Sequence, residues 1–92
     1  MSDYLVHIDV SGIYALPEPE RHELVARERA AGRKLIDAGT LVKLWSVPGK
    51  KGNFGIWSAD TPDELHEALQ SLPIYPYATF EVHPLATHPL FA

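Results

Sequence analysis

The 92 residues suffice for one domain, residues 1–92, with a small core, and the absence of cysteine excludes a disulfide framework or a thiolate metal site. With 46% hydrophobic and 22% charged residues the chain is not disordered; eight Lys and Arg against twelve Asp and Glu, with no basic run, exclude a nucleic-acid surface. No run approaches the roughly 18 apolar residues of a membrane span, and the N-terminus alternates and carries acids, unlike a targeting segment. A soluble, cytoplasmic protein is the expectation.

In chain order the elements read strand, helix, strand, strand, helix, strand. From Tyr4 to Ser11 the pattern has a period of two, with Tyr4, Val6, Ile8 and Val10 on one face and Leu5, His7 and Asp9 on the other. Leu16-Pro17-Glu18-Pro19-Glu20 leads into a long helix that ends near Ala38. Acids at its start suit the helix dipole, and Gly39 suits a C-terminal cap. Leu41–Val47 and Asn53–Ser58 read as strands joined by the turn residues Pro48-Gly49-Lys50-Lys51-Gly52. Thr61-Pro62-Asp63-Glu64 combines an N-cap, a proline at the first helical position and the glutamate of a capping box. Leu65, Ala68, Leu69 and Leu72 form the stripe of that second helix, which Pro73 and Pro76 end. Thr79–His83 is the last strand. This order predicts an α+β, ferredoxin-like βαββαβ sandwich: a four-stranded antiparallel sheet with two helices on one face.

The middle strands are apolar on both sides. Strict alternation places Leu41 and Trp45 on one face and Val42 and Leu44 on the other, while Phe54 and Ile56 lie opposite Trp57. A sheet covered on one side alternates apolar with polar, so the second face is expected to be buried in a homo-oligomer. The tail from about Leu85 to Ala92, with Pro89, Leu90 and Phe91, is apolar enough to pack on a neighbouring subunit.

Glu28 stands out by spacing. It lies four residues after Leu24, three before Ala31 and seven before Leu35, on the apolar face of the first helix. A carboxylate aimed at a sheet either pairs, here with Arg21, Arg27 or Arg33, or has its pKa raised and becomes a proton carrier. Ala31 and Gly32 leave room beside it. The Gly49-Lys50-Lys51-Gly52-Asn53 loop reads either as an anion site or as a solvated hairpin turn. His7 and Asp9 share a strand face and can line a pocket; Trp45 and Trp57 read as core or as a substrate platform. The five histidines have no metal-ligand spacing, and no Gly-x-Ser-x-Gly elbow is present.

Leu35-Ile36-Asp37-Ala38-Gly39-Thr40, Leu44-Trp45, Gly49 with Asn53, Asp63-Glu64-Leu65-His66, Leu72-Pro73, Pro76-Tyr77, Glu81-Val82 and His88-Pro89 together resemble the muconolactone delta-isomerase family. The resemblance runs over nearly the whole chain. It implies a ferredoxin-like fold in a decameric ring, active sites at subunit contacts, and a role in aromatic degradation through catechol. It implies no cofactor and no metal. The substrate implied is a small anionic lactone, with Glu28 and Lys50 as catalytic residues and His7, Trp45, Asn53, Tyr77 and His88 as substrate-binding residues. Three positions depart from the family's usual pattern: Ser46 stands where Arg is common, Lys50 where His is frequent, and Phe54 where Tyr is usual. Lys at that second position also occurs in the related chloromuconolactone dehalogenases. The alternatives are therefore a dehalogenating relative and a non-catalytic ligand-binding oligomer.

Overall fold

In the computed structural model, which describes residues 1–92, the elements are β1 (Ser2–Asp9), α1 (Glu18–Asp37), β2 (Leu41–Ser46), β3 (Gly52–Ala59), α2 (Pro62–Gln70) and β4 (Thr79–Leu85). The strands form one antiparallel sheet in the order β2-β3-β1-β4, the ferredoxin-like arrangement. Strand β1 stops at Asp9, before the expected Ser11, because the Asp9 carboxylate accepts the Ser11 N–H at 2.8 Å and closes a local turn.

Local chemistry sets the helix ends. Glu18 and Glu20 lie in the first turn of α1 beside Pro19. At the other end Gly39 takes φ 79°, its N–H donates to the Ile36 carbonyl at 3.0 Å, and the Thr40 N–H donates to the Leu35 carbonyl at 3.0 Å. That pair of bonds is a Schellman motif, and it needs a residue at ease with positive φ. For α2, Thr61 Oγ1 accepts the Glu64 N–H at 3.2 Å, while the Glu64 carboxylate accepts the Asp60 N–H at 3.0 Å, one residue earlier than in an ordinary capping box. Pro48 and Gly49 (φ 78°) occupy the centre of the β2–β3 turn, where the Lys50 N–H donates to the Val47 carbonyl at 3.1 Å.

The core lies between the sheet and the helices. Tyr4, Val6 and Ile8 of β1 meet Leu41 and Trp57, and Leu24, Leu65, Leu69, Leu72 and Ile74 close over them. One expectation needs correction. Leu41 pairs with Trp57 but Lys43 pairs with Ile56, so a bulge absorbs one extra residue of β2. Directly opposed residues share a face. Leu44 and Ser46, opposite Gly55 and Asn53, therefore join Leu41 on the helix side, and Trp45, opposite Phe54, turns to the open side. Strict alternation from Leu41 had put Leu44 and Trp45 on the wrong faces.

The open side carries Leu5, Trp45, Phe54, Ile56 and Leu85, with His7 against Phe54 at 4.6 Å between ring centroids and His83 Nε2 3.1 Å from Glu81 Oε1. In the tail Leu90 and Phe91 are 83% and 86% exposed. No helix is long and apolar enough to cross a membrane.

Candidate active site

Leu24 is the one buried residue of α1; Val25 and Leu35 pack partly against the core, and Ile36 is 55% exposed. Small residues border the gap between helix and sheet: Gly32 on the helix, Ser46 on β2 and Gly52 on β3. The gap is a cavity of about 760 Å³, walled by apolar side chains such as Ile8, Val25, Leu44 and Ile74 and carrying few polar groups. A hollow of about 170 Å³ beside Met1 and Thr40 is less suited to chemistry, since its acids are engaged: Glu64 caps α2, and Asp60 lies 3.9 Å from the terminal ammonium.

Glu28 points into the larger cavity. Its Oε1 accepts the Ile74 backbone N–H at 3.1 Å. No Arg or Lys pairs with it; the ion pairs of the chain are Met1–Asp60, His22–Glu18 and His83–Glu81. The pairing with Arg21, Arg27 or Arg33 that the sequence left open does not form. Desolvation pushes the Glu28 carboxyl above the usual glutamate range, and the Ile74 N–H offsets only part of that rise. A carboxyl so poised gives and takes protons nearer neutral pH than an exposed one.

Asn53 and Trp57 border the same cavity from β3, on either side of Gly55. Asn53 Oδ1 and Trp57 Nε1 are both buried without a hydrogen-bond partner. Arg29 and Arg33 supply the positive charge of the lining, neither engaged with an acid. Tyr14 stands at the rim, with Lys51 Nζ 4.3 Å and the Arg21 guanidinium 5.2 Å from its ring centroid.

Of the residues that the sequence suggested, Glu28 and Asn53 meet in this cavity. His7 and Trp45 lie on the opposite face of the sheet. Lys50 sits in the β2–β3 turn near Asp9, whose carboxyl is held low first by hydrogen bonds from Ser11 and then by the charges of His7 and Lys50. Tyr77 places its carbonyl against Gly12, where any side chain would clash, and keeps a half-exposed ring. His88 is in the tail, its Nδ1 accepting the Leu90 N–H at 3.1 Å. None of these five lines the cavity within one subunit. Sequence reasoning missed Arg29, Arg33 and Ser46 as cavity residues, while Trp57, read as core or substrate platform, is both buried in the core and on the cavity wall. The period-two spacing Asn53-Gly55-Trp57 was a usable signal for the tryptophan; Ser46 was hidden by the bulge. No group of three or more His, Asp or Glu is gathered closely enough to hold a metal ion.

A ferredoxin-like sheet with one desolvated carboxyl and free cations around a largely apolar cavity is the framework of a small proton-transfer enzyme. The comparisons agree. The family model for muconolactone delta-isomerase matches residues 2–90. A muconolactone Delta-isomerase of Cupriavidus pinatubonensis is 37% identical over 86 residues, covering 94% of each chain. Its counterpart in Rhodococcus opacus is 34% identical over 88 residues, covering 96% of this chain and 95% of its own. A crystal structure of muconolactone isomerase superposes with a TM-score of 0.84 at 28% identity, over 95% of this chain and 91% of that one. The chain belongs to the muconolactone delta-isomerase family. These relatives are named as isomerases, which favours isomerisation over halide elimination.

Proposed function

We propose that the chain shifts the ring double bond of muconolactone, or of a close unsaturated carboxymethyl lactone, by proton transfer through Glu28, as a step of catechol degradation in the cytoplasm. The single observation that carries the mechanism is the half-buried Glu28 carboxyl, unpaired with any cation and raised in pKa by desolvation. As the carboxylate, Glu28 removes the ring proton at the carbon bearing the carboxymethyl arm. The electron pair runs through the existing double bond to the lactone carbonyl, giving a dienolate. Glu28 then returns a proton at the carbon next to that carbonyl. One proton leaves and one arrives, so the product is an isomer and no redox partner enters. The cavity's apolar walls limit exchange of the carried proton with water. Asn53 is a neutral polar side chain of the lining for the lactone ring, and Arg29 and Arg33 are the cavity's own cations for the carboxylate arm. Lys50, outside this cavity, serves a substrate only where a neighbouring copy brings it to a second cavity.

The uncovered apolar groups of the open face and the exposed tail support assembly with further copies of the chain, in the decameric ring that the family resemblance suggests. Proton NMR of muconolactone incubated with the purified protein tests the activity. The starting isomer should disappear, and in heavy water much of the product should keep the transferred proton next to the carbonyl, with deuterium there only in the fraction that exchanged with solvent. A protein that leaves muconolactone unchanged over hours overturns the reading.

A further inference from the structure

Trp57 is 1% exposed, and its Nε1–H has no acceptor. More than about nine in ten buried donors find a partner, so an orphan on the wall of a cavity calls for a specific account. Phenylalanine would pack in much the same space without an N–H to satisfy. The surroundings are arranged around this atom. A Cβ on Gly55 would lie 3.1 Å from Trp57 Nε1 and 3.0 Å from Leu44 Cδ1, so the ring nitrogen reaches over the strand only because residue 55 has no side chain. Leu44 Cδ1 borders the same space above Gly55. Leu44 is 46% exposed on the edge strand β2, and rotation of such a side chain takes picoseconds to nanoseconds.

We propose that Trp57 Nε1–H is the hydrogen-bond donor to the lactone carbonyl oxygen in the Glu28 cavity, uncovered when the substrate displaces the Leu44 methyl group. The inference rests on the lactone reading above and adds to it the group that meets the developing charge. When Glu28 takes the ring proton, negative charge moves onto that oxygen, and a donor already fixed in a water-poor site stabilises it without reorganising. Indole N–H only donates and does not titrate in the working range, so the bond is available at every pH at which Glu28 is ionised. The Asn53 carboxamide, on the same face two residues beyond Gly55, is the second polar group in reach of that oxygen.

The test pairs a variant with a spectroscopic reading of the unaltered protein. Trp57→Phe should lower kcat about 10- to 1,000-fold with KM changed less than about fivefold, because the bond strengthens as charge develops. In the wild-type protein, 15N–1H NMR follows the two indole N–H signals during titration with the saturated lactone, (5-oxotetrahydrofuran-2-yl)acetate, which keeps the carbonyl and the carboxylate but has no double bond to move. The Trp57 signal should move downfield and exchange more slowly with water, while that of Trp45, on the other face, stays in place. Binding of this lactone with a stationary Trp57 signal, or full turnover by a folded Trp57→Phe protein, overturns the proposal and leaves Glu28 chemistry standing. If neither the saturated lactone nor muconolactone binds, the lactone reading fails and this inference fails with it.

Discussion

On the helix side of β3, Asn53 and Trp57 face a cavity from either side of Gly55; on the open side of the same strand, Phe54 and Ile56 stand with Trp45 and His7 on an uncovered surface. The two sides differ in what is left unsatisfied. Facing the cavity, the unpartnered groups are polar: Asn53 Oδ1, Trp57 Nε1, and a carboxyl at Glu28 with one backbone N–H for company. On the open face the polar groups have neighbours, as in His83 with Glu81, and the apolar ones lack cover. Orphaned polar atoms inside a cavity call for a small polar ligand. Bare aromatic and aliphatic side chains on a flat sheet call for protein.

The largest expected effect is on the cavity side. Glu28→Gln keeps the acceptor for the Ile74 N–H but cannot take a proton, so kcat should fall roughly 10²–10⁴-fold. Stability should move the other way. Because folding raises the Glu28 pKa, the folded chain holds that proton more tightly than the unfolded one. The wild-type protein therefore loses stability as pH rises from the unfolded toward the folded pKa. Thermal melts should show Glu28→Gln more stable than wild type at pH 7 and the difference shrinking in acid. Through the same pH window wild-type kcat/KM should rise with pH as the base ionises. An unchanged turnover would remove the distinction between the two faces at its root.

The next effect belongs to the open face. Trp45→Glu combined with Ile56→Glu places two charges among apolar neighbours, and light scattering should report a smaller particle than wild type. An unchanged particle size would mean that this face is not the contact. Gly55→Ala returns the comparison to the cavity: its methyl group must push Leu44 or Trp57 aside, at about 1–3 kcal/mol in denaturant unfolding, with a weakened kcat/KM. A cost near zero would show that Leu44 yields freely. The smallest effect is at Gly32, where an added Cβ meets nothing within 4 Å. Gly32→Ala should stabilise α1 by up to about 1 kcal/mol through helix propensity, read as a rise of several degrees in Tm.

What could be read without a structure depended on near neighbours in the chain. The buried set Tyr4, Val6 and Ile8 follows from a period of two, and the Thr61–Glu64 cap and the Gly39 terminator each depend on three or four adjacent residues. The face of Glu28 follows from helical spacing to Leu24, Ala31 and Leu35. Each of these is local geometry, repeated wherever the same residues occur. Other features had to await tertiary structure. Whether Glu28 met an arginine depended on how α1 lies over the sheet, where Gly32 of α1 and Ser46 of β2 border one cavity from two different elements. A one-residue bulge decided that Leu44 and Ser46 face the cavity and Trp45 does not, because in a strand of period two a single inserted residue exchanges the faces of everything after it. The loneliness of Trp57 Nε1 was likewise beyond the sequence, since a missing partner is a property of the whole surrounding shell and not of any spacing along the chain.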